Sequence, residues 1–285
     1  MAIIKRIRYS TMEDTFVRIM NLKVRIRRQE NPGMPLLLIN GLGACLEAWE
    51  PLTRRFQGRD IIAVDHPGTG LSSPPNHLLT MAELAEFYTA VLDALGVKRA
   101  DVLGFSFGGT IAQQLAKDHP RYVNSLILAG TAPGVGGIPA DPLTIMTAAN
   151  PMRYFVPLVR EMAAPIIYRG RCGRYPRLFE DELSGWDAHR TTLVGVSAQI
   201  AAFAGWSSLP WLPLINKPTL VLCGEEDPMA PVANSRLIAS IIPRAELHVV
   251  EEGGHLFLFD LPDHAAPRIL DFLTRVNDAD AAAVA

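Results

Sequence analysis

A serine hydroxyl becomes a nucleophile near neutral pH only when a base takes its proton and a third group orients that base. Ser106 is the candidate. It stands in Gly-Phe-Ser-Phe-Gly-Gly (104–109), between an apolar run ending at Phe105 and a helical pattern starting near Gly109. A side chain thrust out at such a junction needs a sharply bent backbone. Small residues two before and two after it let neighbouring segments approach without a Cβ clash, and Gly104 and Gly108 hold those places. The aromatics can then pack to either side while the serine is held up. A lone Gly-x-Ser-x-Gly also arises by chance. Its weight here comes from lying at the carboxyl end of a central strand, where α/β sheets bind ligands.

Seven histidines compete for the role of base: His66, His77, His119, His189, His248, His255 and His264. His255 follows the last apolar run within "EEGGHLFLF", a glycine-flanked loop at the same sheet edge as Ser106. His248 lies inside a strand, and His119 precedes Pro120 at a helix end. His66 is the rival, because "VDHPGTGLSS" also leaves the carboxyl end of a strand. The acid is sought in "LVLCGEEDPMAP", where Glu225, Glu226 and Asp227 stand in a row. Asp227, just before Pro228, is deep enough in the loop to turn back toward His255. A tetrahedral intermediate also needs donors for its oxyanion. The backbone N–H of Phe107 supplies one, and "NGLGA" (40–44) offers the N–H of Leu42 as the second.

These residues must be positioned by a sheet. Apolar, β-branched runs recur at 16–20, 22–29, 35–40, 60–65, 100–105, 123–130, 218–224 and 245–252. The first two alternate around Asn21 as an antiparallel hairpin, and several of the others are continuous apolar runs typical of strands buried on both faces. Between them lie helical patterns at 80–96, 109–118, 231–242 and 262–276. The first has a capping box, Thr80 with Glu83, and a stop at Gly96. Alternation of this kind predicts an α/β fold: an eight-stranded, mostly parallel sheet with helices on both faces. One region interrupts it. Residues 133–213 contain no convincing strand, hold three of the four tryptophans and three of the nine methionines, and read as a helical cap inserted into a core of residues 1–132 and 214–285. Met146, Met152, Phe155, Trp206 and Trp211 are apolar side chains there that could line an acyl pocket or equally pack cap against core. Trp206 and Trp211, with Asn40 and Gly41, are the candidate substrate contacts. The terminal "DADAAAVA" is expected to fray.

Bulk properties narrow the function classes. The 285 residues are 49% hydrophobic and 20% charged with a net charge of −2, so nothing attracts nucleic acid or anionic membrane. The first residues lack an apolar run of signal-peptide length, and no stretch approaches a membrane span. Cys45, Cys172 and Cys223 are odd in number and far apart, as thiols of a reducing compartment would be. A cytoplasmic protein is expected. No His-Glu-x-x-His or paired Cys-x-x-Cys spacing occurs, so neither metal nor cofactor is expected.

The order Ser106…Asp227…His255 is that of the α/β-hydrolase triad, and the chain resembles that superfamily over nearly its whole length. Within it the chain is similar to the intracellular poly(3-hydroxyalkanoate) depolymerases of medium-chain polymers. The likeness rests on "PLLLINGLGACLE", "GFSFGGTIAQQLA", "NPMRYF", "IIYRG", "FAGWSSLPWLPLINKPTLVL", "GEEDPMAP" and "GGHLFL". Asn40 stands where many superfamily members carry histidine, and Phe107 where that group carries tryptophan. The resemblance implies hydrolysis of 3-hydroxyacyl esters, small or polymeric, with a polyester granule surface as an extended partner. Residue chemistry independently supports a serine hydrolase with an apolar lid. A general carboxylesterase, lactonase or thioesterase would share every catalytic residue, and a carbon–carbon hydrolase of ring-cleavage products the same triad. A hydrolase-like ligand receptor is the reading from another class; the intact triad argues against it.

Overall fold

The computed structural model describes residues 7–9, 12–154, 156–175 and 191–284. Phe155, one of the expected pocket residues, lies outside them, as does part of the 133–213 segment. The strands are β1 Ile7–Tyr9, β2 Met12–Ile19, β3 Leu22–Gln29, β4 Leu36–Ile39, β5 Ile61–Val64, β6 Ala100–Phe105, β7 Val123–Ala129, β8 Thr219–Gly224 and β9 Ala245–Val250. They form one sheet in the order β1-β2-β3-β5-β4-β6-β7-β8-β9. All eight expected strands are present. A ninth, β1, adds to the antiparallel edge; at three residues it is too short to show periodicity.

The hairpin β2–β3 turns at Met20 and Asn21, both with positive φ (48° and 64°), the conformation that a two-residue turn requires. From β5 to β9 every pairing is parallel. β4, β6 and β7 are buried along their whole length, which explains their unbroken apolar runs. β4 lies between β5 and β6, so the connections leaving β4 and β6 diverge there. Such a reversal opens a crevice at the carboxyl ends of the strands.

The helices are α1 Glu50–Thr53, α2 Met81–Ala94, α3 Phe107–Asp118, α4 Pro142–Ala149, α5 Pro157–Ile167, α6 Gly170–Arg174, α7 Leu193–Phe203, α8 Val232–Ile241, α9 Phe257–Asp260 and α10 Pro262–Val284. Two apolar cores result, one on each face of the sheet. Phe87 and Leu92 of α2, Ile111 of α3 and Ile238 of α8 belong to one; Trp49, Phe259 of α9 and Ile269 of α10 belong to the other. The capping box of α2 forms as expected, Thr80 accepting from Glu83 N–H while the Glu83 carboxylate accepts from Thr80 N–H. Helices α4 to α7 occupy the interval between β7 and β8, with an isolated bridge between Gly134 and Ser207. The expected frayed tail is instead part of α10, which runs to Val284 and is tied down by Arg99 on Asp280 at 3.1 Å. Alanine-rich sequence favours helix, and that propensity prevails here. No described helix is long and apolar enough to cross a membrane, and no cysteine is in a disulfide.

Candidate active site

Ser106 sits between β6 and α3 with φ 52° and ψ −117°, a conformation non-glycine residues avoid. Its neighbours show what enforces the bend. A Cβ on Gly104 would lie 2.4 Å from the carbonyl oxygen of Gly108, and one on Gly108 would lie 2.0 Å from that of Ile39. Only glycine lets β6, α3 and the end of β4 approach so closely. The bend is held by Ser106 N–H donating to Ala129 O at 2.8 Å and by the Thr131 hydroxyl donating to Ser106 O at 2.8 Å.

The structure brings Ser106, His255 and Asp227 together. His255 Nε2 is 3.1 Å from Ser106 Oγ, and His255 Nδ1 is 2.8 Å from Asp227 Oδ2. The other oxygen of Asp227 accepts the backbone N–H groups of Met229 and Ala230, each at 2.9 Å. The carboxylate is thereby oriented on both sides and buried, as is His255. His255 N–H donates to Tyr168 O at 2.7 Å. Gly254 permits this docking, since a Cβ there would lie 2.0 Å from Tyr168 O.

The competing residues are occupied elsewhere. Glu226 pairs with Arg174 at 3.0 Å, and Glu225 accepts from Glu252 N–H at 3.3 Å. His66 is fully buried, with Nε2–H donating to Asn40 O at 2.8 Å and Nδ1 accepting from the Tyr88 hydroxyl at 2.9 Å. Burial pulls its pKa down to about 4, so it is a neutral structural imidazole.

The N–H groups of Leu42 and Phe107 have no acceptor among the described residues. Both residues line, with Ser106 and His255, a cavity of about 210 Å³. The loop carrying Leu42 is braced from behind. Asp65 accepts from Leu46 N–H and Leu71 N–H at 2.8 and 2.9 Å, and burial raises its pKa to about 6. Glu47, just downstream, is gripped by the buried Arg25 and by Arg27.

Asn40 belongs to that brace. Its side chain is buried and donates to Cys45 O at 2.7 Å, outside the cavity lining. Gly41 is close to the serine, its Cβ position lying 3.5 Å from Ser106 Cβ. Trp206 and Trp211 do not line the cavity either. Trp206 Nε1 donates to Gln114 at 2.7 Å and its ring meets that of Trp211 edge-on at 5.9 Å, fastening the end of the segment to α3. Met146 and Met152 point to solvent. The apolar wall comes instead from Ile200 and Phe203 of α7 and from Met229. Their helical and loop positions carry no signal that separates them from other apolar residues. Gln199 also lines the cavity, and sequence reasoning missed it.

Comparison with known proteins gives the family of the chain. The model of the alpha/beta hydrolase family matches residues 36–267. A poly(3-hydroxyalkanoate) depolymerase of Ectopseudomonas oleovorans is 39% identical over 87% of this chain and 88% of its own length. A 2-hydroxymuconate semialdehyde hydrolase of Pseudomonas sp. (strain CF600) is 32% identical over 88% of this chain and 90% of its own. Among solved structures, Est816, described as an N-acyl homoserine lactone degrading enzyme, superposes with a TM-score of 0.75 at 28% identity, covering 90% of this chain and 99% of its own.

Proposed function

The chain belongs to the alpha/beta hydrolase family, and we propose that it is a serine hydrolase cleaving ester bonds of apolar 3-hydroxyacyl chains, as poly- or oligo(3-hydroxyalkanoates). The observation that carries this is the Ser106–His255–Asp227 contact at an apolar cavity whose described lining residues include no lysine or arginine. His255 takes the Ser106 proton as Oγ attacks the ester carbonyl, and Asp227 orients the ring and stabilises the imidazolium. Leu42 N–H and Phe107 N–H hold the oxyanion. Collapse expels the alcohol, which takes the proton from His255, and leaves an acyl-Ser106. Water, activated by the same histidine, then releases the acid.

The described residues of 133–213 are read as the cap over this site, with α7 forming its apolar wall. An uncharged polyester suits such a wall; an anionic substrate would bury its charge unpaired. The likeness to the depolymerase favours this substrate class. Exposed apolar side chains on α4 and α5 suit contact with a polyester surface. Thiols that remain unbridged suit a cytoplasmic setting. The likeness to a semialdehyde hydrolase supports carbon–carbon cleavage as the second reading. One experiment separates them: incubation with medium- and short-chain poly(3-hydroxyalkanoates), p-nitrophenyl esters and a ring-cleavage dienone. Release of 3-hydroxy acids, highest for medium side chains, is expected. Turnover of the dienone with no ester hydrolysis would overturn the reading.

A further inference from the structure

Gln199 lies on α7, is 3% exposed, and lines the cavity containing Ser106 and His255. Its Oε1 accepts the backbone N–H of Gly43 at 3.0 Å. A backbone N–H can only donate, so this contact settles which end of the amide is oxygen and which is nitrogen. The amide nitrogen is buried and has no acceptor among the described residues. Buried donors are almost always paired in folded proteins. This one therefore needs an acceptor that the protein does not supply.

The other polar side chains of the cavity are committed. Thr110 Oγ1 donates to Phe107 O at 2.6 Å, and Thr131 Oγ1 donates to Ser106 O at 2.8 Å. Ser106 and His255 serve each other. Apart from that pair, Gln199 is the one side-chain donor left to a ligand among the described lining residues. Its placement is rigid. Gly195, four residues earlier and so on the same helix face, sits so close to the loop after β5 that a Cβ would lie 2.1 Å from Gly68 O. Thr192 Oγ1 donates to the same carbonyl at 3.1 Å.

We propose that Gln199 is a specificity residue whose amide nitrogen donates to a second oxygen of the substrate, borne on the acyl chain beyond the scissile carbonyl. A hydroxyl or an ester oxygen of a 3-oxygenated acyl group supplies that acceptor, whereas a plain fatty acyl group leaves the donor buried and unpaired. The proposal rests on the ester-hydrolase reading above. Its claim is narrower: α7 selects oxygenated over unsubstituted acyl chains of equal length.

The test compares kcat/KM for p-nitrophenyl 3-hydroxyacyl and unsubstituted acyl esters of matched length, in the wild type, Gln199→Glu and Gln199→Met. At pH 8 the glutamate keeps an acceptor for Gly43 N–H and lacks the donor. Methionine keeps the approximate shape and lacks both. The preference of the wild type for the 3-hydroxy ester should fall up to about tenfold in each variant, the weight of one hydrogen bond between neutral groups, mainly through KM. Equal losses on both esters would mean that Gln199 serves the oxyanion or the fold, and the proposal would be overturned. An unchanged ratio would overturn it too, leaving the ester-hydrolase reading intact. Turnover of neither ester by the wild type would overturn both.

Discussion

Ser106, the proposed nucleophile, holds a backbone conformation that a non-glycine residue avoids. Its φ of 52° costs on the order of 1–3 kcal/mol, and glycine at the same place would relieve that strain. Ser106→Ala should fold and lose at least about a thousandfold in turnover. Ser106→Gly should be equally inactive yet unfold at a higher temperature than Ser106→Ala, which calorimetry can check. Asp227→Asn should cut turnover by up to about ten-thousandfold with substrate binding nearly intact, because asparagine favours the wrong histidine tautomer. A greater loss in Glu226→Gln would reassign the acid. The buried imidazole of His66 makes a different prediction. The unfolded chain protonates near the ordinary value of 6.5 and the folded one only near 4. Acidification between those values therefore favours unfolding, by at most about 1.4 kcal/mol per pH unit. Asp65, raised to about 6, acts oppositely, since its folded form holds a proton that the unfolded form has already lost. Comparing wild type with His66→Gln cancels Asp65. Denaturant titrations should show the stability advantage of the wild type shrinking by roughly 3 kcal/mol from pH 7 to 4. A constant gap would mean that His66 takes up its proton in the fold as readily as in the unfolded chain.

Elements decide which side chains the site receives, and here the interval between β7 and β8 departs from expectation. Its apolar composition is plain in the sequence, but composition does not say which face of a helix looks inward. Trp206 and Trp211 fasten the segment to α3, while Ile200 and Phe203 of α7 reach the cavity. Phe203→Ala should therefore shift the preferred acyl length upward by about two to four carbons, each buried methylene contributing roughly 0.8 kcal/mol. Trp206→Ala should lower Tm without changing the length profile; a shift of profile in the tryptophan variant would reverse these roles. Ser106, Asp227 and His255 were legible because each stands within five residues of a strand's carboxyl end, and strand ends converge at one edge whatever the details of packing. Gln199 was not. Its contact with Gly43 spans 156 residues, and a glutamine inside a helix has no local signature. The last turns of α10 are helical although the alanine-rich end reads as a tail, because alanine is the strongest helix former.

At the scale of the whole molecule, the proposed polymeric substrate is larger than the cavity and needs a surface outside it. Leu143 on α4 and Leu158 and Met162 on α5 are each more than half exposed, on helices that pack against one another. Such side chains gain nothing from facing water, whereas the proposed polyester surface would cover them. The net charge of −2 sets no strong field against an uncharged particle. Contact with the polymer and cleavage of one ester bond should then be separable. Replacing Leu143 and Met162 together by serine removes two large apolar groups from the outer face and touches nothing in the cavity. If each half-buries on the particle, at about 1 kcal/mol, the partition coefficient should fall roughly thirtyfold. Sedimentation with amorphous poly(3-hydroxyalkanoate) particles measures that loss directly, and the rate on particles should fall with it. The rate on a soluble p-nitrophenyl ester should stay within about twofold, because Ser106, His255 and the α7 wall are untouched. Equal losses on particle and soluble ester would mean that these residues serve the folding of α4 and α5. Full retention of both would leave the particle-contact reading without support, and the cavity alone would then determine what the enzyme cleaves.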